Sequence, residues 1–274
     1  MTTSPAGTNP LRTLLAAGAA AVGSWCGTPS SFTAELLTAE PVDYVCFDCQ
    51  HGLVDVATLG PLLAAVKPTP AVVRVPANDP ALIGKALDLG AAAIIVPLVN
   101  SADEAARAVA ACRYPPHGVR SYGPTRISLT VGADPADLDA HPLCFVMVET
   151  PAAVAAVEAI CAVDGLAGIY IGPADLAIGL GLRPADAGGP PGAGGWSAHD
   201  AAVAAVREAC ERAGIVPGIH TTGGEDARNR LAAGFRMCSL PSDAILLRAA
   251  LRRELTAARP ARSQASRTAA TAAS

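Results

Sequence analysis

Along the chain, short runs rich in β-branched and aromatic residues alternate with longer alanine-rich stretches. The runs at Val22–Gly27, Asp43–Asp48, Ala71–Val75, Ala92–Leu98, Cys144–Glu149, Gly168–Gly172, Val216–His220 and Phe235–Leu240 read as strands. They are apolar nearly throughout, the pattern of strands covered on both faces of a parallel sheet. The stretches at Ser31–Ala39, Asp55–Val66, Asp79–Leu89, Ala102–Ala111, Pro151–Cys161, Ala198–Ala213 and Glu225–Ala233 read as helices. Several open on a capping residue or a proline, namely Ser31, Asp55, Asp79 and Pro151. Several stop at a glycine, namely Gly90, Gly214 and Gly234. Eight strands joined by helical crossovers must run parallel, and eight is the number that closes a barrel. The expectation is an α/β chain forming a single-domain (β/α)₈ TIM barrel over residues 1–255, with an open doubly wound sheet as the alternative. Residues 256–274 are small and polar and read as a disordered tail.

Two connections are long: Cys112–Pro142, which contains RYPPHGVRSYG, and Gly179–Ser197, which contains GGPPGAGGW. Counted from the preceding strands, both are expected at the end of the barrel where active-site loops lie, as lids, subunit contacts or plain insertions.

Composition narrows the class. The chain has 274 residues, 51% of them hydrophobic, enough for one well-buried domain. Its net charge of −4 and lack of a basic stripe argue against nucleic acid as a partner. No run of about 18 apolar residues is free of glycine or charge, so no membrane span is expected, and Leu14–Val22 lacks the cleavage pattern of a signal peptide. Eight cysteines are present, mostly inside apolar runs, which suits buried reduced thiols and the cytoplasm. Cys46 and Cys49 have C-x-x-C spacing, but residues three apart in a strand face opposite ways, so they do not form one clamp.

The informative residues are polar ones that interrupt the strand ends. Trp25 ends the first strand; Asp48, Gln50 and His51 end the second; Arg74 ends the third; Glu149 ends the fifth; Gly172, Pro173, Ala174 and Asp175 follow the sixth; His220 ends the seventh. Singly, each could be a cap or a structural ion pair. Together they converge on one mouth of a barrel, and Trp25, Gly172, Ala174, Asp175 and His220 become candidate substrate contacts. Glu149 and Asp175 are candidate ligands for a hard divalent ion such as Mg²⁺ or Mn²⁺, which takes carboxylate oxygens and leaves room for a chelating substrate. Arg74 would set a permanent positive charge where an enolate oxygen develops. His51 is the candidate base. Asp88, on a helix ending at Gly90, either orients His51 or faces solvent. His117, His141 and His199 receive no role. The only lysines are Lys67 and Lys85, and neither ends a strand, so a Schiff-base route lacks its nucleophile.

The stretches FDCQHGLVD, VVRVPANDP, ALDLGAAAIIVPLVNSADEA, RYPPHGVRSYG, VMVET and IYIGPADLAIGLG, in this order over about residues 12–250, resemble the HpcH/HpaI aldolases. These are class II pyruvate aldolases such as 4-hydroxy-2-oxoheptanedioate aldolase and 2-keto-3-deoxy-L-rhamnonate aldolase. The resemblance implies a homohexamer with an exchanged C-terminal helix and a divalent ion (Mg, Mn or Co) on Glu149 and Asp175. It also implies a 2-oxo acid held by the main-chain N–H groups of Ala174 and Asp175, with an aldehyde as the second product. Arg74 would steady the enolate, and His51, oriented by Asp88, would move the proton. Two positions depart from the pattern: Gln50 stands where many members have Glu, and Met147 where many have Gln. The same superfamily contains citryl- and malyl-CoA lyases, and a barrel that only binds an acid is a third reading. A redox or zinc protein built on Cys46 and Cys49 is a fourth.

Overall fold

The computed structural model describes residues 9–183 and 197–259. Eight parallel strands close into a barrel in sequence order: β1 (Ala21–Cys26), β2 (Tyr44–Asp48), β3 (Ala71–Arg74), β4 (Ala93–Val96), β5 (Leu143–Val148), β6 (Gly168–Ile171), β7 (Val216–His220) and β8 (Met237–Ser242). The helices that cover it are α1 (Pro10–Ala16), α2 (Ser31–Thr38), α3 (Val56–Ala65), α4 (Pro80–Asp88), α5 (Ala102–Cys112) and α6 (Pro135–Ala140), followed by α7 (Pro151–Ala155), α8 (Val157–Cys161), α9 (Pro173–Gly179), α10 (Ser197–Ala213), α11 (Gly224–Ala232) and α12 (Asp243–Ala258). This is the single-domain (β/α)₈ barrel expected from the strand pattern.

Local chemistry explains most of the boundaries. Asp55 closes a capping box with Thr58 at the start of α3, and Asp79 accepts from two N–H groups of α4. Ser30, one residue before the expected cap, accepts from Thr33 N in α2. Gly90, Gly214 and Gly234 have φ of +104°, +70° and +100°, the left-handed conformation that ends a helix at little cost to glycine. The stretch read as one helix from Pro151 to Cys161 is two, α7 and α8, meeting at Ala156. The last strand begins at Met237 rather than Phe235.

Two apolar layers result. The outer one lies between strands and helices and includes Val45, Phe47, Val73, Ile94, Val146 and Ile171. The inner one fills the barrel and includes Trp25, Tyr44, Phe145, Met147, Tyr170 and Met237. Its large rings need room: a Cβ on Gly23 would lie 2.3 Å from the Tyr44 ring, and one on Gly218 2.8 Å from that of Tyr170. Cys46 belongs to the inner layer while Cys49 packs against the outer one, so the C-x-x-C pair does face opposite ways. All eight cysteines are free thiols.

The Cys112–Pro142 connection does not lie at the expected end of the barrel. It leaves the end of α5, not of a strand, so it returns to the end of the barrel where strands begin. There Arg120 binds Asp88 at 2.8 Å and Arg126 donates to the Leu89 carbonyl. Most of the second long connection, residues 184–196, lies outside the described residues, as do residues 260–274 of the expected tail; α12 itself carries the chain to Ala258. Among the described residues no helix is long and apolar enough to cross a membrane.

Candidate active site

At the mouth where strands end, β2 and β3 pair with Asp48 directly beside Arg74. Arg74 grips the carboxylate with both arms of its fork, Nε to Oδ1 at 2.9 Å and Nη2 to Oδ2 at 2.5 Å. Three more donors converge on the same group: Trp25 Nε1 on Oδ2 at 3.1 Å, and the N–H groups of Gln50 and His51 on Oδ1 at 3.0 and 3.1 Å. Burial pushes the Asp48 carboxyl up, but the Arg74 hydrogen bonds and charge outweigh it and hold the group below the usual carboxylate range. One carboxylate therefore positions the Arg74 guanidinium, the Trp25 ring and the start of the loop that carries His51. The sequence placed Asp48 at a strand end but gave it no task; its register against Arg74 reveals one.

Trp25 packs against this pair, with the Arg74 Cζ 4.9 Å from its ring centroid. His220 meets Trp25 edge-on at 5.0 Å. The register of β7 and β8 sets His220 beside Ser239, whose Oγ lies 2.7 Å from Nδ1 and also accepts from the Tyr170 hydroxyl at 2.6 Å. Burial, aided by the Arg74 charge, lowers His220 to about 4, so this imidazole is neutral near pH 7. Trp25, Asp48, His51, Arg74 and His220 line one cavity of about 350 Å³, closed on one side by Asp243. Asp243 accepts from Gly27 N and Thr28 N and so fixes the loop after β1.

Glu149 follows β5 and is buried, with Oε1 accepting from Leu98 N at 2.7 Å. Leu98 holds φ of 55°, an uncommon conformation for a side chain of its kind, and it points that N–H at the carboxylate. Burial raises the Glu149 carboxyl, the Asp175 charge raises it further, and the Leu98 bond and Arg74 oppose both. A Cβ on Gly172 would lie 2.5 Å from Glu149 Oε2, so the glycine keeps space open beside the carboxylate. Ala174 and Asp175 stand exposed in the first turn of α9. His199, which received no role above, is buried with Nε2 3.0 Å from the Pro173 carbonyl, and it steadies the turn that presents them.

Not every expected residue joins the mouth. Asp88 ends α4 at the opposite end of the barrel and pairs with Arg120, so within one chain it does not reach His51. Lys67 follows α3 at that same opposite end, and Lys85 is exposed on α4. Glu149 and Asp175 do not line the cavity around His51; Arg74, whose charge acts on Glu149, links the two halves.

The arrangement suits a hard cation. Among the described residues no group of three or more His, Cys, Asp or Glu side chains forms a closed metal cage. Glu149 and Asp175 instead offer two carboxylates whose repulsion a divalent ion would relieve, and such an ion would keep its remaining positions for water and substrate oxygens.

The family model for the HpcH/HpaI aldolase/citrate lyase family matches residues 22–250. The chain belongs to that family. Over 168 residues it is 40% identical to a pyruvate aldolase from Rhizobium etli and 35% identical to a 5-keto-4-deoxy-D-glucarate aldolase from Klebsiella pneumoniae. Each match covers 60% of this chain and 66% of the relative. Among solved structures, a family member from Burkholderia cenocepacia superposes with a TM-score of 0.84 at 30% identity, covering 92% of this chain and all of that one. The citrate synthase SbnG superposes with a TM-score of 0.77 at 26% identity, over 91% of this chain and 97% of that one.

Proposed function

We infer that the chain is a carbon–carbon lyase that cleaves or forms a 4-hydroxy-2-oxo acid, giving pyruvate and an aldehyde, with a divalent ion on Glu149 and Asp175. The observation that carries the reading is an arginine forked onto Asp48, with its charge also acting on Glu149, in a mouth that no lysine reaches. When bound, Mg²⁺, Mn²⁺ or Co²⁺ supplies Lewis-acid polarisation of the 2-oxo group. The rest belongs to side chains. Asp48 occupies Nε and Nη2 of Arg74, and Nη1 faces only the Met147 thioether at 4.0 Å. A thioether is a weak acceptor, so an oxyanion displaces it readily. In the cleavage direction, His51 takes the proton of the 4-hydroxyl, the C3–C4 bond breaks, and its electrons move to the 2-oxo oxygen facing Arg74. The enolate then gains a proton at C3 and leaves as pyruvate. Ala174 and Asp175 N–H groups hold the substrate carboxylate, as the family resemblance implies, and neutral His220 and Trp25 wall the aldehyde side.

Two further readings rest on the surface and the thiols. α12 leaves Ile245, Leu246, Leu247, Leu251 and Leu255 exposed, a stripe suited to another copy of the chain and so to a homo-oligomer such as a hexamer. Only between copies could Asp88 meet His51. Eight free thiols fit a reducing compartment such as the cytoplasm.

A panel of 4-hydroxy-2-oxo acids, with citryl- and malyl-CoA as controls, is assayed for released pyruvate with each metal and with chelator. Metal-dependent pyruvate release is expected, and borohydride plus pyruvate should leave the protein mass unchanged. A reduced pyruvyl adduct on Lys67 or Lys85 would overturn the metal route. Turnover of the thioesters alone would move the chain to the lyases acting on CoA esters.

A further inference from the structure

The opposite end of the barrel carries a second cavity, larger than the one at the mouth. α1 lies across this end, with Leu11 and Leu15 plugging the interior. Beside it opens a space of about 400 Å³ lined by Arg12, Arg113, Arg236 and Asp139, with apolar walls from residues such as Leu143 and Val216. That volume falls within the range of small-molecule sites, about 300–1,000 Å³.

Charge is unbalanced there. Asp139 is the one carboxylate among the described residues of the lining, and its Oδ1 already accepts from Tyr114 N at 2.8 Å. Arg12 donates to the Pro142 carbonyl at 2.6 Å, and Arg236 to that of Leu15. Among the described residues neither has a carboxylate partner. Arg236 Nε is out of contact with solvent and has no acceptor among the described residues. The nearest carboxylate to Arg113 is that of the fully exposed Asp164 at 3.9 Å, a pairing of little worth in water. The eight residues before Asn9, MTTSPAGT, contain no Asp or Glu to supply the missing charge. Burial and then the Arg113 charge pull the Arg12 guanidinium down from its ordinary value. The backbone also makes room for this crowding. A Cβ on Gly165 would lie 2.1 Å from Arg113 Nη2, and Gly165 holds φ of +80°.

A buried donor left unmatched and three arginines around one cavity are costly unless an anion completes them. We propose that this cavity binds a small organic polyanion, a di- or tricarboxylate or a phosphate ester, through Arg12, Arg113 and Arg236. The site lies across the barrel from the mouth and does not depend on the reaction proposed there.

The test uses the full chain with chelator present, so that no cation recruits the probe to the mouth. Tricarballylate, glycerol 3-phosphate and inorganic phosphate are titrated by calorimetry, and arginine modification by phenylglyoxal is mapped by mass spectrometry with and without each probe. Saturable binding of at least one organic probe is expected, with Arg12, Arg113 and Arg236 protected and Arg74 modified as before. Arg113→Gln should weaken binding about tenfold or more, the loss of one charge-assisted bond. Its guanidinium holds no main-chain carbonyl among the described residues, so the fold should survive the change. Were Arg12→Gln or Arg236→Gln not to fold, the wild-type footprint still decides. Absence of saturable binding at millimolar probe, protection confined to Arg74, or unchanged affinity in Arg113→Gln each overturns the proposal. Inorganic phosphate binding as tightly as either organic probe refutes an organic ligand.

Discussion

Replacing Asp48 with Asn changes one atom and should be among the most disruptive single substitutions in the chain. The carboxylate receives five donors, Arg74 Nε and Nη2, Trp25 Nε1 and the N–H groups of Gln50 and His51, and both members of the ion pair are largely buried, at 6% and 10% side-chain exposure. An amide has one oxygen. If that oxygen stays at the Oδ1 position, where three donors meet, the new NH₂ group faces Arg74 Nη2 and Trp25 Nε1, donor against donor. Removing one partner of a buried pair typically costs about 3–5 kcal/mol because the other charge is stranded. For a chain of this size that corresponds to a fall in Tm of roughly 6–20 °C. Denaturant unfolding followed by tryptophan fluorescence and circular dichroism measures it directly, independent of any assay of activity. A double variant, Asp48→Leu with Arg74→Met, should be less destabilised than Asp48→Asn, since no unpaired charge remains. If Asp48→Asn costs less than about 1 kcal/mol, the level of a surface pair, water must reach the site and the account of a dry five-donor hub is wrong.

Other outcomes follow from the same geometry. Arg74→Lys keeps the charge but loses the fork, and should lower kcat by about 10²–10³ with little change in KM; near-normal turnover would make Arg74 purely structural. Gly172→Ala puts a methyl 2.5 Å from Glu149 Oε2, so the carboxylate must swing and loosen its bond to Leu98; metal affinity and turnover should both fall about tenfold or more, and calorimetry with Mn²⁺ reads the first. His220 is lowered to about 4 in the fold against about 6.5 in the unfolded chain, so its contribution is complete above pH 6.5 and is lost as pH falls toward 4. That contribution is at most about 3 kcal/mol, and His220→Asn should flatten the stability difference between pH 7 and pH 5 by about 1 kcal/mol or more.

The barrel was legible because doubly covered parallel strands leave an unmistakable apolar run, and the mouth because polar residues break those runs at one end only. What the pattern hid has physical reasons. α1 is only seven residues long, two turns in which the buried Leu11 and Leu15 show too little periodicity to mark a helix. α12 is held by few contacts of its own chain and shows solvent an apolar stripe, so neither a core-facing period nor a polar surface marks it. Asp48 follows four apolar residues of β2 as any strand-terminal carboxylate does; only its register against Arg74 makes it the centre of the site. The Cys112–Pro142 loop lies at the end opposite to the one that its preceding strand implies. α5 carries the chain back across the barrel first, and Asp88 and the RYPPHGVRSYG segment end up together on the far side.

The two ends of the barrel deal with buried arginines in opposite ways, and the contrast bears on what each end is for. At the mouth, Arg74 is neutralised within the protein by Asp48, which accepts from Nε and Nη2 and leaves Nη1 against a thioether. A pair of this kind is seldom retained for stability, since apolar residues of similar volume often do as well or better. What it supplies is orientation: a charge that cannot rotate, with one donor edge turned toward whatever oxygen develops charge in the cavity. At the far end, among the described residues, Arg12 and Arg236 are tied only to main-chain carbonyls, and Arg113 reaches no closer than 3.9 Å to a carboxylate in open water. There the protein fixes positions without cancelling charge. A site organised for catalysis needs its ground state already balanced, whereas a site organised for binding can leave that balance to its ligand.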